Sequence, residues 1–152
     1  MSERSNISGD LIWELVRSNN AYLVKRSSAG GVQFSRDPFN LTNKHSRKHE
    51  GFVNDKAVSV QPNEKGGVTL MTKKSEKSNT PKAAYNTHPY SKTTSNRKIY
   101  KNIADAVGKK SYRGDLNQDA VARASAIKNS QRPKKDVPEK KPRGLKGAKQ
   151  EA

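Results

Sequence analysis

An excess of 31 Lys and Arg over 14 Asp and Glu gives this chain a formal net charge of +17, and no other feature limits so strongly what it can fold into. The excess runs through the apolar-patterned segments as well as the C-terminal end. Self-repulsion at that density opposes compaction unless a polyanion supplies counter-charge. Nucleic-acid backbones do this well, because each cation that meets a phosphate releases a condensed counterion. Charge carried only for solubility is the competing reading. Apolar residues make up 30% of the 152, against roughly 45–50% in ordinary globular chains. The core must therefore be small and confined to the segments with apolar periodicity.

The chain has no cysteine, which excludes a disulfide framework and thiolate metal sites and fits a reducing compartment. No run approaches the roughly 18 apolar residues of a membrane span, and the polar N-terminus lacks a signal-peptide core. The expected location is the cytoplasm or nucleus. Asn6-Ile7-Ser8 and Asn40-Leu41-Thr42 match the glycosylation sequon, a chance match without secretion.

Residues 1–9 read as a flexible N-terminus. Asp10 can cap a short helix through Leu11, Ile12, Leu15 and Val16, with Trp13 as the one indole, and Asn19-Asn20 ends it. Residues 21–26 read as a strand and 27–31 as a turn. Residues 32–52 break the pattern and predict a long ordered loop with one short strand. Val58 and Val60, then Val68, Leu70 and Thr72, alternate on either side of a Pro62 to Gly67 turn, which predicts an antiparallel hairpin. Its apolar face needs a cover, and the N-terminal helix is the nearest candidate. Residues 10–73 thus form a small α+β globular domain. Residues 74–96, polar with isolated Tyr85 and Tyr90, read as an extended basic linker.

Residues 97–131 predict paired amphipathic helices. Ile99, Ile103, Ala106 and Val107 share one face of the first, with Arg97, Lys98 and Lys101 off it and Gly108 as a stop. Asp115 can cap the second, whose narrow stripe is Leu116, Ala120, Ala124 and Ile127, and Arg132-Pro133 ends it. Residues 132–152 read as a disordered basic tail. The expected fold class is α+β: a small antiparallel sheet packed by an N-terminal helix, then two basic amphipathic helices and the tail.

Aromatic residues interleave with cations over residues 34–52 and 85–112, a mixture that suits RNA, where rings stack on unpaired bases and cations hold phosphates. For Phe34, Phe39 and Phe52 the favoured reading is that they anchor the loop on the core. Lys109-Lys110-Ser111-Tyr112-Arg113 joins the two helices. One Lys there satisfies the helix dipole, so the remaining residues point to a ligand. His45 and His49 lie four apart beside Glu50, yet Arg47 and Lys48 between them repel a cation and His88 is the one further histidine. A metal site is not expected, and the imidazoles should face solvent or RNA. Gly30-Gly31 and Gly66-Gly67 read as turns rather than phosphate loops, no Ser or Thr sits in a nucleophile elbow, and Asp10 and Asp115 serve as caps. No catalytic residue, cofactor or small-molecule substrate is expected, and the chain does not read as an enzyme. The candidates for RNA contact are Lys25, Arg26, Arg47, Lys48, Arg97, Lys98, Lys101, Lys109, Lys110, Tyr112, Arg113, Arg123, Lys128 and Arg132.

The order of segments is itself informative. Leu11-Ile12-Trp13-Glu14-Leu15-Val16-Arg17, Tyr22-Leu23-Val24-Lys25-Arg26, Asp37-Pro38-Phe39-Asn40-Leu41, the hairpin of Ala57-Val58-Ser59-Val60-Gln61-Pro62 and Gly67-Val68-Thr69-Leu70, Lys110-Ser111-Tyr112-Arg113-Gly114-Asp115-Leu116 and Val121-Ala122-Arg123-Ala124-Ser125-Ala126-Ile127 follow one another. In that order, as far as Pro133, they resemble family number twenty-eight of the eukaryotic large ribosomal subunit, the L-twenty-eight-e family. Extra residues before the helix and a more polar linker depart from it. The resemblance implies a structural constituent of the large subunit of the cytosolic ribosome, assembled via the nucleolus. It would bind ribosomal RNA by charge neutralisation and shape fitting and adjoin neighbouring large-subunit proteins, with no membrane. A ribosome-assembly factor on pre-ribosomal RNA is the alternative. From a different class comes a linker-histone-like chromatin protein, which predicts three helices and no hairpin.

Overall fold

Ser8 opens the first helix, accepting the Leu11 amide on its hydroxyl at 3.2 Å, and so caps α1 (Gly9–Val16). Asp10, expected as the cap, lies instead in the first turn, where its charge favours the helix dipole. Asn20 closes this region by donating to the Val16 carbonyl at 3.1 Å and accepting the Tyr22 amide at 3.0 Å. The computed structural model describes residues 7–74, 80, 83–109 and 111–136; the expectations for residues 1–6, for Lys110 and for the tail from residue 137 lie outside them. After α1 come β1 (Leu23–Lys25), β2 (Gln33–Ser35), β3 (Val58–Pro62), β4 (Gly67–Lys73), β5 (Tyr85–Ser91), α2 (Asn96–Ala104) and α3 (Asn117–Ser130). No helix among the described residues is long and apolar enough to cross a membrane.

β1 and β2 pair antiparallel, with Lys25 opposite Gln33, and Gly30 and Gly31 supply the left-handed residues of their connection. The predicted hairpin is β3–β4, and its Val58, Val60, Val68 and Leu70 are all buried. Gly67, at φ +102°, must lack a side chain, since a Cβ there would lie 2.1 Å from the Tyr90 carbonyl oxygen.

Two expectations are corrected. Part of the 74–96 linker is a strand: β5 pairs with β4 over seven residues, from Gly67 opposite Ser91 to Lys73 opposite Tyr85. Most of its side chains are exposed, so main-chain hydrogen bonds rather than an apolar face hold it, and the sequence carries no period-two signal. Pro89 is tolerated because β5 is an edge strand. The second correction is the cover of the sheet. The cluster of β3 and β4 side chains is closed by Ile99 and Ile103 of α2, Val107, Leu116, and Ala120 and Ala124 of α3. Alanine at 120 and 124 lets α3 approach closely. α1 buries no residue; Leu11 and Leu15, one turn apart, are 53% and 71% exposed, while Ile12, Trp13 and Val16 are half-buried. The α+β class and the order of the elements other than β5 agree with the sequence, and the β-strands exclude a three-helix chromatin domain.

The loop between β2 and β3 is ordered by buried polar side chains in place of a ladder. Asp37 accepts the amides of Phe39 at 3.0 Å, Gly51 at 2.7 Å and Phe52 at 3.2 Å. Asn40 donates to the Lys44 carbonyl and accepts the Thr42 amide; it is 1% exposed, so its sequon is closed to modification in the fold. Gly51 packs so tightly that a Cβ would fall 2.1 Å from the Phe39 Cβ.

Candidate nucleic-acid interface

Helical geometry sorts the cations of α2. Ile99 and Ile103 face the core, which turns Arg97, Lys98 and Lys101 to the opposite side. All three are exposed, and none of their side chains makes a hydrogen bond or ion pair among the described residues. Ser95 caps α2 without a side-chain hydrogen bond, and the first turn holds no acidic residue. Arg97 and Lys98 there oppose the helix dipole, an arrangement that a bound anion would relieve. Lys92, Asn96, Gln131 and Arg132 line a cleft of about 200 Å³ beside this end. Lys109 extends the basic side; it pairs with Asp105 at 2.9 Å but stays 74% exposed. Lys25 and Arg26 are exposed on the β1–β2 hairpin, with the Lys25 ammonium donating to the Ser18 carbonyl at 3.1 Å. Lys48 is half exposed, 4.0 Å from Asp119.

The other candidates are turned into the protein. Arg123 donates from Nε to the Val60 carbonyl at 2.9 Å, and from Nη1 to the Leu41 carbonyl at 2.9 Å and to Asn43 Oδ1 at 3.1 Å. Burial pushes its guanidinium pKa down. Arg113 holds Asp115 through Nε at 2.9 Å and Nη2 at 2.8 Å and also donates to the Lys56 and Lys48 carbonyls. These hydrogen bonds hold the Asp115 carboxyl below its ordinary pKa, and they occupy the group that the sequence assigned to a helix cap. The Tyr112 hydroxyl accepts the Ala57 amide at 3.1 Å and donates to the Lys73 carbonyl, and burial raises its pKa. Lys128, 8% exposed, donates to the Lys92 carbonyl at 3.0 Å. Arg47 ties the loop to α1 through Asp10 at 3.0 Å. The side chains of Tyr112, Arg113, Arg123 and Lys128 thus fasten the C-terminal segment onto the sheet and loop, together with Gln131, whose amide brackets Gly67 N and O at 2.8 Å each. Sequence reasoning had no signal for Gln131.

His45 and His49 are also internal rather than solvent-facing, whereas His88 on β5 is exposed as expected. His49 bridges Ser46 at 2.8 Å and Asp119 at 3.2 Å. His45 Nε2 lies 2.8 Å from the Arg17 carbonyl, which can only accept, so this nitrogen carries a proton. Its Nδ1 meets Glu50 at 3.0 Å. Glu50 is fully buried, with a pKa raised first by desolvation and lowered in part by His45 and Ser35. No three metal-ligating side chains gather among the described residues. Phe39 stacks on Tyr85 at 5.1 Å and Phe52 tilts against Tyr22 at 5.7 Å, so these Phe rings anchor loop and strand.

One grouping was not foreseen. Trp13 and Arg17 of the α1 region line a cleft of about 320 Å³ with Ser18, Lys25, Gln33 and His45. The lone indole was visible in the sequence, but its partner cations come from separate segments.

Comparison with known proteins points to one family. Residues 11–130 match the model of the Ribosomal L28e protein family. The large ribosomal subunit protein eL28 of Schizosaccharomyces pombe is 47% identical over 132 residues, covering 87% of this chain and 98% of the relative. The proteins of the same name from Caenorhabditis elegans and Dictyostelium discoideum are 36% identical over 128 residues and 27% over 135. These cover 82% and 89% of this chain and 91% and 97% of the relatives.

Proposed function

Because the chain belongs to the Ribosomal L28e protein family, we propose that it is a structural constituent of the large subunit of the eukaryotic cytosolic ribosome. It joins the particle during nucleolar assembly, holds ribosomal RNA through phosphate contacts and abuts neighbouring large-subunit proteins. It performs no reaction. The observation that supports the RNA-binding part is the exposed row Arg97, Lys98 and Lys101 on the side of α2 away from the core, whose side chains have no partner among the described residues. Lys109, Arg132, Lys25, Arg26 and Lys48 extend the contact set. Tyr112, Arg113, Arg123, Lys128 and Arg47 act one step removed, by shaping the surface that carries those cations.

The test is sedimentation of tagged chain in a lysate, before and after a high-salt wash. A structural role expects the chain in large subunits, monosomes and polysomes, and retained there. Confinement to nucleolar precursor particles would establish the assembly-factor reading instead, and recovery with chromatin would sink both. With isolated ribosomal RNA fragments, R97A/K98A/K101A should reduce the slope of log affinity against log salt by about 2 to 3, at roughly 0.7–0.9 per phosphate contact. An unchanged slope would remove α2 from the interface.

A further inference from the structure

We propose that the cleft between α1 and the β1–β2 hairpin holds one unpaired nucleotide of single-stranded RNA, its base on the Trp13 indole and its phosphate between Arg17 and Lys25. This deepens the RNA-binding reading above and rests on it. The cleft joins the three groups such a ligand needs: a half-buried indole, two exposed cations and an exposed amide, Gln33. The antiparallel register sets Lys25 directly opposite Gln33, so the phosphate-binding ammonium and a group able to read a base edge stand side by side. Lys25 uses one of its three donors on the Ser18 carbonyl and keeps two. Arg17 engages Glu14 through Nε at 3.2 Å, with its side chain 58% exposed, leaving its terminal nitrogens to a ligand.

The indole is held in place by a second ring that also lines the cleft. The His45 ring lies 4.9 Å from it, tilted 37°, and is itself fixed between Glu50 and the Arg17 carbonyl. One side of the indole is thereby supported while the residue still lines the cleft. An A-form duplex stacks its bases internally and presents only phosphates, hydroxyls and shallow edges, so it has no base face to offer an indole. A splayed single strand does. The α2 row, by contrast, meets phosphates of either form. The two surfaces therefore divide the work between holding RNA and selecting an unpaired residue in it.

Trp13 is the only tryptophan, so its fluorescence reports on this cleft alone. The full chain is titrated with the single-stranded hexamer rA6, with a short RNA duplex and with AMP, while anisotropy of labelled RNA follows binding. Saturable quenching by rA6 is expected, with binding but no quenching by the duplex and no response to AMP at the same concentration. R17A/K25A should weaken rA6 binding and lower its salt slope by about 1.4, two contacts at about 0.7 each. W13A should weaken it about tenfold, and W13F less, because a phenyl ring still stacks. An unchanged urea midpoint for R17A/K25A serves as the folding control. Binding of rA6 without quenching overturns the proposal and leaves the RNA-binding reading intact. Equal quenching by the duplex, or by AMP at the same concentration, also overturns it. If neither RNA binds, the broader reading fails with it.

Discussion

Replacing Arg123 with Ala separates a structural cation from an RNA-binding one. Its guanidinium joins α3 to two separate parts of the chain, the Val60 carbonyl of β3 and the Leu41 carbonyl of the loop, each at 2.9 Å, with Asn43 Oδ1 at 3.1 Å. Breaking a hydrogen bond to a charged donor costs about 1.5–3 kcal/mol. The site is part-buried, so water can partly replace the lost donor, and the low end applies to each carbonyl. Two such losses come to about 3 kcal/mol, with the Asn43 contact taken as replaceable by solvent. With a urea m-value of about 1.5 kcal/mol/M, the midpoint should fall by about 2 M in R123A. R123K should recover roughly half, because one ammonium lacks the fork that reaches both carbonyls. RNA affinity of the protein that remains folded should be unchanged at low denaturant. A midpoint within about 0.3 M of wild type, together with a loss of RNA affinity, would refute this reasoning and return Arg123 to the phosphate-contact set.

Further expectations follow from the other internal polar groups. Y112F removes the hydroxyl that accepts the Ala57 amide and donates to the Lys73 carbonyl and should cost about 1–2 kcal/mol, seen as a urea midpoint lower by about 1 M; an unchanged midpoint would show that these bonds add nothing. G51A would press a Cβ to 2.1 Å from Phe39 Cβ and should destabilise by about 3 kcal/mol, lowering the thermal midpoint by about 10 °C; tolerance of alanine would mean the loop is looser than described. Glu50 has a raised pKa through burial, so its contribution is fully present below its unfolded pKa near 4.5 and is lost as pH rises through the higher folded value. The stability of wild type minus that of E50Q, measured by urea titration across pH 3.5 to 7.5, should therefore fall with pH. A flat or rising difference would contradict the burial argument. E50Q itself should fold, since its amide can donate to His45 Nδ1 while its carbonyl accepts from Ser35.

Much of the fold is legible from local pattern. Val58, Val60, Val68 and Leu70 alternate because one face of the hairpin is buried, and Ile99 and Ile103 recur at helical spacing because α2 packs on that face. β5 was not legible, because it is held through its backbone against β4 and its side chains are mostly exposed. Nor was the choice of cover. Leu11 and Leu15 have the same helical spacing as Ile99 and Ile103, yet one pair is exposed and the other buried. Amphipathic spacing says which residues share a face but not what that face meets.

By itself, then, the sequence determined the charge that calls for a polyanion, the hairpin and helices, and a motif order that places the chain in its family. Tertiary structure decided which cations stay exposed and which are spent inside the fold. Arg97 and Arg123 are indistinguishable as letters, but the first points away from the core while the second satisfies carbonyls some 60 to 80 residues away in the chain. A guanidinium serves equally well for a phosphate or a backbone carbonyl, and the choice is set by which acceptors the fold brings within reach. The same holds for Trp13, Arg17 and Lys25, which share a cleft where His45 packs on the indole and Lys25 reaches the Ser18 carbonyl.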